Sequence, residues 1–166
     1  GDVRDDIKTL LRLVYPLVVT TGFDRPNLFF SVMQPKNKSI ELMKLIKERK
    51  NESGIVYCST RKAVEEVCEL LQKNGFAATR YHAGLDENER RRNQDDFVYD
   101  RAAIMVATNA FGMGIDKSNV SFVIHYNMPK NMESYYQEAG RAGRDGRGAD
   151  CILLYSAKDG RTNQCL

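Results

Sequence analysis

The chain has 166 residues, 42% of them hydrophobic and 28% charged, with a formal net charge of +3. That composition fits one globular domain large enough for a proper core. It contains no apolar run near the ~20 residues of a membrane span and no secretory signal, and its net charge of +3 is too small by itself to mark a nucleic-acid binder. The chain opens on Gly1 rather than methionine, as expected of a piece cut or processed from a longer protein.

Val3, Ile7, Leu10, Leu11 and Val14 recur at helical spacing, and Pro16 ends that helix before an extended stretch at 17–20. Residues 28–32 read as a strand, and a polar, proline-containing connection at 34–38 leads to a helix over 39–50 with Ile40, Met43 and Ile46 on one face. A short buried strand at 55–58 precedes a helix over 61–74, capped by Ser59 or Thr60, striped by Ala63, Val64, Val67, Leu70 and Leu71, and stopped by Gly75. A strand at 77–81 follows, then Asp86 and Glu89 in the spacing of a capping box for a helix reaching about Val98. Strands at 103–107 and 122–126, a helix over 131–141 and a strand at 151–155 complete the pattern. Alternating helices and continuous apolar strands predict a three-layer α/β domain, its mostly parallel sheet carrying helices on both faces.

Cys58, Cys68, Cys151 and Cys165 form no C-x-x-C pair, and with only His82 and His125 beside them no metal-ligand spacing emerges. Three of these cysteines lie in apolar segments and read as small core residues of a reducing compartment. The runs Lys47-Glu48-Arg49-Lys50 and Arg90-Arg91-Arg92 have acids close by and read as solvated helix faces.

The stretch Gln137-Glu138-Ala139-Gly140-Arg141-Ala142-Gly143-Arg144-Asp145-Gly146 concentrates the chemistry. Arg141 and Arg144 stand at i and i+3, so on a continuous helix they share a face and their guanidinium forks can converge on one anion. Gly140 and Gly143 remove side-chain bulk beside them. Planar, permanently charged forks suit the spread charge of a transferring phosphoryl group. The spacing fits a solvated basic helix end equally well. A phosphate cradle is missing: the nearest P-loop match ends in Lys117-Ser118 but has Phe111 and Asp116 where glycines are required. No Asp-Glu pair follows an apolar strand to hold magnesium, and Gly112-Met113-Gly114 lacks the third glycine of a dinucleotide fingerprint. The chain therefore holds only part of a phosphate-transfer site.

Three more stretches stand in order with this one: Gly22-Phe23-Asp24-Arg25-Pro26-Asn27-Leu28, Tyr81-His82-Ala83-Gly84-Leu85 and Ala110-Phe111-Gly112-Met113-Gly114-Ile115-Asp116-Lys117. Together the four resemble motifs of the superfamily 2 DNA helicases, closest in wording to the RecQ family, and the likeness covers nearly the whole chain. It implies a second RecA-like lobe at 22–157, with 1–21 as the tail of a first lobe and the inter-lobe connection, and 158–166 starting the next connector. It also implies ATP and Mg2+, held mainly by the first lobe and bound in the cleft between lobes.

Carried onto this chain, the resemblance makes Arg144 the arginine finger on the γ-phosphate and Arg141 its partner. Gln137 would sense nucleotide state, with Asp116 and Gly114 beside the nucleotide. Cys58-Ser59-Thr60-Arg61 resembles motif IV, so Ser59, Thr60 and Arg61 become contacts to the DNA backbone, together with His82 and with Thr108, Asn109 and Gly112 of the motif V loop. A helix start is a ready anion site, but these residues also fit an ordinary N-cap, and His82 fits a buried, hydrogen-bonded histidine. Asn109 stands where the family more often has an apolar residue. Asp145 either orients an arginine or serves the turn before Gly146. Arg25-Pro26-Asn27 is a family marker expected in the inter-lobe connection, where Arg25 ties the lobes together in a structural role.

The implied parent is an ATP-dependent 3′–5′ DNA helicase of the bacterial cytoplasm or eukaryotic nucleus. Its partners would be single-stranded or partially duplex DNA and the first lobe of the same chain, with no membrane, and this fragment alone would be inactive. Two rivals are a superfamily 2 RNA helicase lobe and a non-catalytic module that binds nucleic acid or protein through basic loops. The G-x-x-G at 140–143 also matches KH domains, but the surrounding α/β pattern is too long for one.

Overall fold

The computed structural model of the chain describes residues 25–108 and 117–156. The expected helix at 3–14, the extended stretch at 17–20 and the segments 109–116 and 157–166 lie outside the described residues. Among the described residues six strands and four helices follow one another: β1 (Leu28–Met33), α1 (Lys38–Glu48), β2 (Ser53–Tyr57), α2 (Arg61–Lys73), β3 (Ala78–Tyr81), α3 (Glu87–Val98), β4 (Ile104–Ala107), β5 (Val120–His125), α4 (Met132–Ala139) and β6 (Ala149–Leu154).

The strands form one sheet in the order β1-β6-β5-β2-β4-β3, every neighbouring pair parallel. Every residue of β2 and β4 is buried, as required of strands covered on both faces. Leu42, Leu45 and Ile46 of α1 and Val64, Val67 and Leu71 of α2 pack on Val56, Val106, Phe122 and Ile124. On the opposite face Phe97 of α3 and Ala139 of α4 meet Tyr57, Met105, Val123 and Cys151. This is the three-layer arrangement that the alternating pattern predicts.

Local chemistry sets the helix ends. Thr60 Oγ1 accepts from the Ala63 N–H at 3.0 Å, making Thr60 the N-cap of α2, and Gly75 follows its end at φ +85. Asp86 Oδ1 accepts from the Glu89 N–H at 2.7 Å, but the Glu89 carboxylate turns to Arg80 and Asn93, so the capping box is only half closed. Two expectations fail. The buried stripe of α1 is Leu42, Leu45 and Ile46, while Ile40 is 68% exposed, because the helix turns its leucine-bearing side to the sheet. The helix expected to reach 141 ends at Ala139, as Gly140 closes it and the chain turns away at Gly143.

Gly54 is a demand of the core. A Cβ there would lie 2.1 Å from two ring carbons of Phe122, itself fully buried. Gly54→Ala should lower unfolding free energy by about 1–3 kcal/mol, the cost of overpacking a close-packed interior. Urea unfolding measures this, and a variant with the wild-type midpoint would show that Phe122 has room to move.

Candidate functional site

Strands β2 and β5 are neighbours, yet α2 leaves β2 over one face and α4 leaves β5 over the other. In an open parallel sheet such a switch point makes a crevice beyond the C-terminal strand ends, the favoured position for a ligand. Here the crevice is lined by Tyr57, Ser59, His125, Asn127, Lys130 and Glu138, among others. All four helices begin at this edge, capped by Asn37, Thr60, Asp86 and Asn131. Their positive dipole ends therefore gather there.

The motif IV residues stand on this edge. Ser59, Thr60 and Arg61 are exposed, and the Ser59 N–H donates to Asn127 Oδ1 at 2.9 Å. Thr108 ends β4, between β2 and β3, and its N–H donates to the Tyr81 carbonyl at 3.2 Å. Arg61 Nη1 reaches across to Gly84, 3.3 Å from where a Cβ would stand. Ser59, Thr60, Arg61, His82 and Thr108 thus share adjoining strand ends, whereas Asn109, Gly112, Gly114 and Asp116 lie outside the described residues.

His82 is 5% exposed and both its ring nitrogens are engaged. Nδ1 accepts from the Gly84 N–H at 3.1 Å, which leaves Nε2 to donate to Glu65 Oε1 at 2.7 Å. Desolvation pushes the Glu65 carboxyl up, but the hydrogen bonds from His82 and Arg80 outweigh it and hold the carboxyl below its ordinary value. Arg80 also reaches Glu89 at 3.1 Å, and Arg90 donates to the carbonyls of Ala83 and Leu85 at 3.0 and 2.6 Å. The 82–85 turn is therefore held from β3, α2 and α3. Arg90 is a brace, unlike Arg91, which makes an exposed pair with Glu87 at 3.3 Å.

The arginine segment lies at the other end of α4. The Gly140 N–H still bonds to the Tyr136 carbonyl at 2.8 Å, but those of Arg141 and Ala142 bond only three residues back, to Glu138 and Ala139. Gly143 then takes φ +64, and its N–H crosses to the Val120 carbonyl at 2.8 Å. Arg141 and Arg144 consequently do not share a helix face as their spacing predicts: Arg141 sits in the tightened end, Arg144 beyond the left-handed turn. Both guanidinium groups nevertheless act on the same buried hydroxyl, that of Tyr57. Burial pushes this phenol far above its ordinary value and Glu138 adds to the rise, while Arg141 and Arg144 oppose it. Arg144 and Gln137 are exposed and Arg141 is half-buried. The Arg147 N–H donates to Asp145 Oδ1 at 3.0 Å, which fits Asp145 as a turn residue.

Tyr57, His125 and Glu138 join the crevice to this segment, the first two buried and Glu138 partly exposed. His125, 1% exposed, meets Glu138 at 2.9 Å through Nε2 and stacks on the Tyr57 ring with centroids 5.2 Å apart. The Tyr57 hydroxyl and His125 Nδ1 are buried and have no hydrogen-bond partner among the described residues. Glu138 is the last residue but one of α4, so the helix that begins at the crevice is tied to β5 near its arginine-bearing end. A mid-strand histidine is expected in the core, but its tie to Glu138 becomes visible only once β5 and α4 are packed together.

The remaining reactive groups are placed for packing. Cys58, Cys68 and Cys151 are free and buried. Burial pushes Cys58 and Cys151 up to about 12 and Cys68 up to about 11, so these thiols are inert at neutral pH. Lys117, last in the run that begins at Ala110, buries its ammonium against Asp100 at 2.6 Å rather than offering it to phosphate. Among the described residues no three His, Cys, Asp or Glu side chains gather to hold a metal, and no helix is long and apolar enough to cross a membrane.

A fully parallel six-stranded sheet, helices on both faces and loops gathered at one edge define the RecA-like class of α/β domain. In solved structures the chain resembles the C-terminal domain of the DEAD-box protein Dbp5, with a TM-score of 0.67 at 26% identity, covering 82% of this chain and 79% of that one. Residues 37–146 match the family model described as the helicase conserved C-terminal domain. The ATP-dependent DNA helicase RecQ of Bacillus subtilis is 48% identical over 158 residues, 95% of this chain and 27% of that protein. The ATP-dependent DNA helicase hus2/rqh1 of Schizosaccharomyces pombe is 46% identical over 166 residues, 99% of this chain and 12% of that protein. The chain belongs to the helicase conserved C-terminal domain family, in its RecQ-like branch. It spans about a quarter or less of the length of these relatives.

Proposed function

We propose that the chain is the second motor lobe of an ATP-dependent, 3′–5′ RecQ-like DNA helicase. Residues 22–157 form the lobe, 1–21 join it to a first lobe, and 158–166 lead onward. The observation that carries this reading is the arginine segment: Arg141 and Arg144 follow the end of α4 on either side of the Gly143 turn, in a sequence without a phosphate cradle of its own. Two cations so placed suit a phosphoryl group held by another lobe across a cleft. Arg144 acts as the finger and Arg141 as its partner, Gln137 senses nucleotide state, Asp116 couples the nucleotide to the arginines, and Gly114 lets the backbone approach it. The described residues offer no carboxylate cluster for a divalent ion, so Mg2+ and most contacts to ATP are assigned to the first lobe. When bound, the ion neutralises charge on the phosphate oxygens.

Single-stranded DNA runs along the edge where the helices begin. Ser59, Thr60 and Arg61 contact its phosphates, with Thr108, Asn109 and Gly112 alongside and His82 bracing the adjoining turn. Backbone contacts of this kind make affinity salt-dependent and tolerant of sequence. The test is ATP turnover of the intact helicase with single-stranded DNA or RNA, beside the isolated domain. DNA should stimulate turnover about tenfold more than RNA, the size of a modest difference in binding free energy, and the isolated domain should show none. Equal stimulation by RNA favours an RNA helicase, and a folded intact protein without turnover favours a binding module. Turnover by the pure isolated domain would overturn the shared site.

A further inference from the structure

From the contacts between the start of β1 and the end of α4 we infer that Arg25 and Asn27 are positioning residues for the arginine segment. This rests on the reading of Arg141 and Arg144 given above. Arg25 Nη1 donates to the Gly140 carbonyl at 3.2 Å and Nη2 to the Ala142 carbonyl at 2.8 Å. Asn27 Nδ2 donates to the carbonyls of Gly143 at 2.7 Å and Arg147 at 2.9 Å. The four acceptors bracket both arginines, Gly140 and Ala142 flanking Arg141 and Gly143 and Arg147 flanking Arg144.

The donors are themselves fixed. The Leu28 N–H bonds to the Arg25 carbonyl at 3.0 Å, the Ala149 N–H to the Asn27 carbonyl at 2.9 Å, and β1 then runs parallel to β6. Pro26 fixes φ between the two donors. On the acceptor side, the last carbonyls of a helix have no partner within it, and their dipoles favour a cation. The rigid guanidinium fork of Arg25 meets the carbonyl of the cap residue Gly140 and that of Ala142 just beyond it at once, which the single ammonium of a lysine does less well. Arg25 was expected to tie one lobe to another. Its guanidinium is engaged inside this domain, on the backbone that carries the arginines. A displacement of about 1 Å in a catalytic group can cost about a hundredfold in rate, so a side chain that only holds this backbone can govern turnover without touching ATP.

The test is DNA-stimulated ATP hydrolysis by the intact helicase, comparing wild type, Arg25→Ala, Arg25→Lys, Asn27→Ala, Arg144→Ala and the double variant Arg25→Ala/Arg144→Ala. Arg25→Ala should lower kcat about tenfold or more with KM for ATP within about threefold, and Arg25→Lys should recover part of the loss. In the double variant the loss of Arg25 should add little to that of Arg144, because both act through one group. Additive losses, or wild-type kcat in Arg25→Ala and Asn27→Ala while Arg144→Ala is impaired, overturn the positioning role. Wild-type turnover in Arg144→Ala overturns the arginine finger first, and the positioning role with it. Thermal unfolding is followed in parallel, and if Arg25→Ala does not fold, Asn27→Ala and Arg25→Lys decide by the same criteria.

Discussion

Replacing Arg144 by alanine in the intact helicase should lower DNA-stimulated ATP turnover by about a hundredfold or more while leaving ATP affinity nearly unchanged. The separation follows from when the contact matters. In the proposed arrangement a guanidinium fork aimed at the γ-phosphate gains most when negative charge spreads over the transferring group, whereas a first lobe would hold the ground-state nucleotide. Arg144 is exposed beyond the Gly143 turn, and thermal unfolding separates any loss of stability on its truncation from the loss of rate. Arg144→Lys keeps the charge but loses the fork and should recover only a small part of the rate. Turnover, nucleotide affinity and thermal unfolding of the three proteins supply the check. An Arg144→Ala enzyme that turns over like wild type removes this residue from the chemistry. Loss of ATP affinity in step with turnover would make it a binding residue instead.

The fold was legible where physics is local. Strands β2, β4 and β5 are near-continuous apolar runs, the pattern of a sheet covered on both faces, and Thr60, Asp86 and Gly75 mark helix ends by their own chemistry. Legibility failed where two local answers were nearly equal. Helix α1 has apolar residues at 40, 43 and 46 and also at 42, 45 and 46, and only packing on the sheet decides that the second set is buried. The site divides in the same way. The motif IV residues were placed by their strand end and the arginines by their run, but the i, i+3 spacing assumed a continuous helix and missed the left-handed turn at Gly143. Arg25 and Asn27 meet their acceptors across 115 to 120 residues, a distance at which periodicity and spacing carry no information. His82 read equally well as a ligand contact or a braced core residue, and the deciding partner, Glu65, sits on a helix whose relation to β3 appears only in the folded sheet.

Gly143→Ala should cost both stability and turnover, by separable routes. Gly143 adopts φ +64, where an L-residue with a Cβ pays about 1–2 kcal/mol. The added carbon would also stand 2.5 Å from Asn27 Nδ2, 3.1 Å from Leu28 Cδ2 and 3.2 Å from Ala149 Cβ. Leu28 and Ala149 are paired across β1 and β6 and cannot withdraw without disturbing the sheet, so Asn27 is the neighbour that yields. Once it yields, its two bonds to the carbonyls of Gly143 and Arg147 go with it. The unfolding free energy should fall by about 1–2 kcal/mol from the backbone conformation alone, and turnover of the intact helicase by about a hundredfold as Arg141 and Arg144 lose their placement. Combining Gly143→Ala with Asn27→Ala separates the routes. The conformational cost does not depend on Asn27, so Gly143→Ala should still cost about 1–2 kcal/mol in the Asn27→Ala background, whereas the Asn27 bonds, already lost in Gly143→Ala, are lost only once. The turnover losses should not add, since both changes release the same segment. Urea unfolding and steady-state hydrolysis on the four proteins of this cycle give both readings. If Gly143→Ala turns over normally, the arginines do not depend on the backbone that carries them; if the turnover losses add, the glycine acts on them by a path that bypasses Asn27.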